Sequence, residues 1–309
     1  MMITASILTI FGLALFEIIS SADNAIVNAE VLETMSPKGR KWFLFYGIIF
    51  AVFVVRGLLP WLIIYVTNPS LGFFGAFTAA LSSDPIVAES IHRSAPILMA
   101  GGGIFLVFLF FHWLFLEKKT YGLVGEAFFH RQGVWFFAVV SAILAAVVWE
   151  ALKVDPMMAF GAVIGSTAFF ITHGFKENAE KAEKDLLHGH SKKSDLSKIL
   201  YLEVIDATFS IDGVLGAFAF TLSVPLILIG NGIGAFILRK LTISNVDNVK
   251  KYIFLKNGAM YSIFFLGVIM LLHAFGFDLP EWVSPVVTFA TVGYFFLKSH
   301  YHLVRNKTI

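Results

Sequence analysis

The sequence predicts an all-α fold, a polytopic transmembrane helix bundle of about nine spans with an inverted repeat and two acidic helices at its centre. Three observations carry this. The 309 residues are 58% hydrophobic and only 14% charged, with a mean hydropathy of +0.80, far beyond the apolar share of a soluble domain. The apolar residues fall into runs of span length separated by basic loops. Two of those runs place carboxylates six residues apart, in Glu17-Ile-Ile-Ser-Ser-Ala-Asp23-Asn24 and in Asp206-Ala-Thr-Phe-Ser-Ile-Asp212-Gly213.

A hydrocarbon core of roughly 30 Å takes about 20 apolar helical residues. In chain order the expected spans are 3–30, 42–66, 96–116, 134–152, 156–173, 197–222, 225–238, 252–275 and 282–302. The first has no basic leader and carries Glu17 and Asp23, so it reads as a retained span and not a cleaved signal. The seventh is short for a span. The connection 67–95 contains Gly72-Phe-Phe-Gly75 and Asp84-Pro85 and suits a re-entrant or interfacial segment. The stretch 175–198 mixes Glu and Lys in a helical pattern and ends in His188-Gly-His190-Ser-Lys-Lys, the composition of a solvated, partly disordered linker. A histidine-based metal sensor is the other reading of that end. The expected organisation is one transmembrane domain over 1–309, with a first half at 1–174, a cytoplasmic charged linker at 175–197 and a second half at 198–309.

Orientation follows from the basic residues. Nineteen of the 23 Lys and Arg would lie in inner loops if the N-terminus is outside, leaving Arg93 and Lys153 in outer loops and Arg56 and Lys256 inside spans. That asymmetry fits the positive-inside rule and puts the C-terminus in the cytoplasm. The first and sixth spans then run in opposite directions, as the acidic helices of an inverted repeat do when they hold substrate near the bilayer midplane. A weaker echo follows, Lys41-Trp-Phe-Leu-Phe-Tyr-Gly47 in the second span against Tyr252-Ile-Phe-Leu-Lys-Asn-Gly258 in the eighth.

An ionised carboxylate at bilayer depth costs about 3 kcal/mol on insertion scales, which makes such residues functional candidates. Here they are Glu17, Asp23, Glu203, Asp206 and Asp212, and the two bases inside spans cannot neutralise all five. Six residues along a straight helix leave two side chains about 120° apart and roughly 9 Å offset. Each pair therefore serves one ion only if its helix breaks, near Ser20-Ser21 in the first and between Ser210 and Gly213 in the second. Glu203 and Asp206, three apart, share a face. Asn24, Ser20 and Ser210 add neutral oxygens. With no cysteine in the chain, this is the oxygen ligand set of a hard divalent cation such as Mn²⁺, Mg²⁺ or Ca²⁺. Acids that hold a cation in one state and protons in another perform cation/proton exchange.

Other features read as structural or interfacial. Gly101-Gly-Gly103 suits close helix packing. His112, His173 and His273 lie at or near span ends without the spacing of a helical zinc motif, and Glu30, Glu33 and Glu150 lie near span ends as well. The net charge of +2 does not suggest nucleic acid, and no nucleotide-binding loop is present.

The segment Glu17 to Asn24, the segment Glu203-Val-Ile-Asp206-Ala-Thr-Phe-Ser-Ile-Asp212, Gly101-Gly-Gly-Ile-Phe-Leu106 and Asn231-Gly-Ile-Gly-Ala-Phe-Ile-Leu-Arg239 together resemble the TerC family of integral membrane proteins over most of the chain. The resemblance implies a tellurium-resistance-like protein of the bacterial inner membrane, from a metal-ion exporter superfamily with inverted repeats and links to Mn²⁺ efflux. It implies ion-site roles for Glu17, Asp23, Asn24, Asp206 and Asp212. The chain departs from typical members after its last aspartate, where they carry Ser or Asn and then Pro and this chain reads Asp212-Gly-Val-Leu-Gly216, and it has extra spans in the middle. It is similar to a divergent branch.

The expected function is a secondary transporter, not an enzyme, that exports a divalent metal cation by exchange with protons. Manganese is favoured, with Ca²⁺ or Mg²⁺ as alternatives, and no resident cofactor is expected. Glu17, Asp23, Asp206 and Asp212 are the expected metal ligands or proton carriers, Asn24 and Ser210 the neutral ligands, and Glu203 an assisting acid. The partners are the cation, protons and the lipid bilayer, with homo-oligomerisation left open and nucleic acid excluded. Two other classes stand beside this one. A metal-dependent integral membrane enzyme would use the same carboxylates to hold a metal that activates water. A non-transporting membrane partner of a stress-response complex would use them for assembly alone.

Overall fold

The computed structural model of the chain describes residues 2–22, 31–32, 35–47, 50, 57–58, 61–62, 65, 71–81, 85–188 and 194–307. Among the described residues there are helices and connections and no strand. The helices are α1 (Met2–Ser20), α2 (Pro37–Trp42), α3 (Gly72–Leu81), α4 (Pro85–Leu116), α5 (Glu126–Arg131), α6 (Phe136–Val154), α7 (Pro156–His188), α8 (Asp195–Ala217), α9 (Val224–Lys250), α10 (Leu255–Ala274) and α11 (Val283–Lys307). A π-helical turn, Phe43–Gly47, follows α2. The expected second span, 42–66, falls largely outside the described residues, and Arg56 with it.

Local chemistry sets several ends. Ser36 caps α2 through its hydroxyl, which accepts from the Gly39 N–H at 3.1 Å. Asp155 opens α7, accepting from the Met157 N–H at 2.8 Å, with Pro156 at the first helical position where its missing N–H is harmless. Ser194 caps α8 in the same way, accepting from the Ser197 N–H at 3.3 Å. After α10, Gly276 takes a left-handed φ of +82°, a conformation suited to glycine, and the chain turns.

Four described helices are long and apolar enough to cross a bilayer: 94–116 within α4, 133–154, 156–175 within α7, and α10. The apolar parts of α1 and α9 are shorter. Several helices outrun their apolar windows. α4 begins at Pro85, eleven residues before the expected start, and runs through Pro96, so much of the connection 67–95 is helical, with α3 before it. α7 continues to His188, so most of the linker expected at 175–197 is an extension of the fifth span. The short seventh span is the front of a 27-residue helix that carries Arg239, Lys240 and Lys250, three bases assigned to a loop. Hydropathy marks where a helix leaves the apolar phase; the backbone bonds go on until a cap or breaker stops them.

The packing partners fix the directions. Along α4 and α7, Gly161 meets Ile97, Gly165 meets Gly101, Phe169 stacks edge-on to Phe105 and His173 lies 3.9 Å from His112 between ring centroids, so the two helices are parallel. Against α10 the order reverses: Gly103 meets Leu271, Phe110 lies 4.6 Å from Phe264 and Trp113 faces Tyr261. α11 runs against α10, with the Phe254 N–H donating to Ser299 Oγ at 2.9 Å and Gly258 packed on Phe295. α1 is parallel to α11, since Gly12 meets Pro285 while Ile19 clusters with Val292. α4 is the hub, 89% buried across its apolar window, whereas the 133–154 window is 17% buried and turns Trp135, Phe137 and Trp149 outward.

Candidate functional site

Glu17 sits three residues before the end of α1, in a helix otherwise filled with apolar side chains, and is completely buried. Its carboxylate oxygen Oε1 accepts from the Ser21 hydroxyl at 2.9 Å, just past the helix, where residue 21 is in a turn. Two helices close around it. On one side, the position a β-carbon would take at Gly213 of α8 lies 3.4 Å from Glu17 Oε2. On the other, a β-carbon on Gly234 of α9 would come within 2.7 Å of Glu17 Cβ.

The register around Glu17 gives the helix directions. Gly12 faces Phe220, Phe16 packs on Gly216, and Glu17 and Ser20 face Gly213, so α1 and α8 are antiparallel. On the other flank Gly230 packs on Leu13 and Gly234 on Ala14 and Glu17, so α1 and α9 are parallel. Small residues thus bring two helices against α1, and Glu17 with the half-buried Asp212 segment is what they enclose.

The expected break in the second acidic helix is not there. α8 is continuous α-helix from Asp195 to Ala217, through Ser210, Asp212 and Gly213. Its packing explains this, because Gly213 and Gly216 admit α1 without unwinding the backbone. Asp206 and Asp212 therefore stay roughly 9 Å apart along one straight axis and cannot chelate one ion as a pair. The first acidic helix does end at Ser20, at the place expected. Asp23 and Asn24 lie outside the described residues, and Asp206 and Ser210 are placed on α8 by backbone alone.

Glu203 is buried near the start of α8, nine residues from Asp212 and so roughly 14 Å along the axis. Its neighbour Leu202 packs with Val31, Leu32, Met35 and Phe43, a separate cluster. The structure does not bring Glu203 to Glu17. Among the described residues, no three His, Cys, Asp or Glu side chains are grouped to hold a metal ion. An ion held here would rely on oxygens from more than one helix.

The same α9 carries Asn231. It is fully buried in α9, one turn before Gly234, and neither amide atom has a hydrogen-bond partner among the described residues. It is the one polar side chain in the apolar run 224–238. Reading carboxylates alone passed over it, although that isolation was the available signal.

A second buried carboxylate had no signal in the sequence. Glu126, at the start of α5, accepts from the Gly122 N–H at 2.7 Å, the Leu123 N–H at 3.0 Å, Asn257 Nδ2 at 3.0 Å and the Tyr261 hydroxyl at 3.1 Å. Lys298 donates to the Gly122 carbonyl of the same turn. Beside it, Lys256 pairs with Glu117 at 2.9 Å, so this base, one of two considered as counter-charges for the acidic helices, serves the end of α4. Burial raises the Glu117 carboxyl, but the hydrogen bond with His112 and the charge of Lys256 outweigh it and hold the group at about 2. Burial lowers Lys119 to about 8 against the pull of Glu126 and Glu117, and its ammonium caps the Trp113 and Leu114 carbonyls.

A family model described as Protein of unknown function (DUF475) matches residues 22–308. The chain belongs to the DUF475 family. No curated protein and no solved structure matches it. In this DUF475 chain the matched stretch takes in α2 to α11 and so Glu203, Asp212, Asn231 and Glu126, while α1 with Glu17 precedes it.

Proposed function

We propose that this chain is a secondary transporter that exports a divalent metal cation, manganese foremost, in exchange for protons. The observation that carries the reading is Glu17: a fully buried carboxylate on an apolar helix, enclosed by an antiparallel acidic helix on one side and a helix with a fully buried amide on the other. A carboxylate in that position is costly unless it handles charge. Asp212, with Asp23, Asn24 and Ser210, would supply the remaining oxygens, Asp206, roughly 9 Å away along α8, would serve as a proton carrier, and Glu203 would act as a separate acid nearer the inner face. The ion is substrate here, and hard oxygen donors suit Mn²⁺ without excluding Mg²⁺ or Ca²⁺.

The relative directions of the helices support nine alternating spans, and the basic loops support an N-terminus outside and a C-terminus in the cytoplasm of an inner-membrane protein. α4, α7, α9 and α11 run one way and α6, α8 and α10 the other, a strict alternation from the third span to the ninth. α1 runs with α4, as a single expected span between them requires. The antiparallel α1 and α8 support an inverted repeat, and with the doubled acidic motif they support membership of the TerC-like exporters. The test is flux of Mn²⁺ into proteoliposomes under an imposed pH gradient. Wild-type flux above that of empty liposomes, lost in Asp212→Asn, is expected; wild-type flux equal to empty liposomes under both pH and potential gradients sinks the proposal.

A further inference from the structure

Four glycines meet α1, and they are not alike. A β-carbon on Gly216 would run into the ring of Phe16, one on Gly230 would come to 2.5 Å from Leu13 Cβ, and one on Gly234 would come to 2.6 Å from the Ala14 carbonyl oxygen. Packing requires glycine at those three. Among the described residues, a β-carbon at Gly213 would meet only Glu17 Oε2, at 3.4 Å, and Ser20 Oγ, at 3.9 Å, which is ordinary contact. Helix propensity argues against glycine there too, since position 213 is interior to α8, where alanine is the better residue.

We infer that Gly213 keeps open the position from which a cation reaches the Glu17 carboxylate, and so governs ion access to the site. The inference rests on the transporter reading. The space beside Gly213 is bordered by a carboxylate oxygen and a hydroxyl, both ligands for a hard divalent cation. On α9, one turn before the Gly234 that packs on Glu17, lies Asn231, whose buried amide has no hydrogen-bond partner among the described residues. A methyl group at 213 would stand against Glu17 Oε2 and take the place of a ligand or of a water the ion retains.

The test is Gly213→Ala in the full chain, read by Mn²⁺ flux in proteoliposomes and by melting in detergent. Flux should fall at least tenfold while the melting temperature equals or exceeds that of wild type. A loss of less than threefold in a folded variant overturns the inference while leaving the transporter reading intact, and any larger loss at full stability supports it. A melting temperature more than about 5 °C below wild type also overturns it, because packing would then explain the glycine. A wild-type protein that moves no Mn²⁺ sinks the transport reading, and this inference with it.

Discussion

Two of the buried carboxylates, Glu126 and Glu17, are handled in opposite ways. Glu126 is surrounded by donors, two from the backbone and two from side chains, and its role is to tie the turn after α4 to α10. Glu126→Ala leaves those donors without an acceptor in a buried site and should cost roughly 3 kcal/mol. A clear drop in melting temperature is expected with Mn²⁺ flux per folded molecule unchanged; a variant as stable as wild type would remove the clamp role. Glu17 instead faces a hydroxyl and a glycine-lined space. Glu17→Gln keeps its shape and removes its charge, so flux should fall at least tenfold with little change in melting, and flux equal to wild type would detach Glu17 from transport. Glu17 was legible in the sequence because an acid inside an apolar run is an anomaly in any register. Glu126 was not, because it lies in a polar connection where the identities of its donors depend on how α10 docks.

At the scale of elements, apolar length located the third, fourth, fifth and eighth spans, and charge misplaced their ends. A helix leaving the bilayer goes on hydrogen-bonding, as α7 does to His188 and α9 to Lys250. The break expected in α8 failed for a related reason: spacing between carboxylates constrains an ion site only if both belong to it, and small residues let the neighbouring helix supply the second. The Gly101–Gly165 contact joins α4 and α7, because a β-carbon on Gly165 would fall on the Gly101 carbonyl. Gly165→Ala should cost about 2 kcal/mol through overpacking, whereas Gly174→Ala on the same helix, with nothing within 4 Å, should be neutral or stabilising. Equal melting temperatures for the two variants would show that the helices do not depend on this approach. At the end of α4, Glu117 titrates at about 2 against an ordinary 4.5. A depressed carboxyl contributes stability above pH 4.5 and loses it as pH falls toward 2. With its side chain about a third exposed, that contribution is about 1 kcal/mol after screening. Lys256→Met should flatten the fall in melting temperature between pH 4.5 and 2, and an unchanged acid limb would assign that fall to other groups.

Across the whole molecule, two independent signals bear on the topology. The basic residues distinguish inside from outside by composition alone, and the packing registers give alternating helix directions without reference to charge. They meet at α6, the least buried of the long apolar helices, which begins after Arg131 and ends beside Lys153. If α6 crosses the bilayer, these two bases lie on opposite sides. The chain has no cysteine, so single cysteines can be introduced without a background to remove. Arg131 and Lys153 are both exposed, and Lys153 pairs with the neighbouring Glu150 and lies over the Trp149 ring of its own helix, so replacing either should leave the fold intact. A membrane-impermeant maleimide applied to intact cells should modify Lys153→Cys and spare Arg131→Cys until the membrane is opened. Labelling of both from the same side would mean that α6 does not cross. That result would break the alternation and the orientation read from the basic loops, while the antiparallel contact of α1 and α8, fixed by its own packing register, would stand.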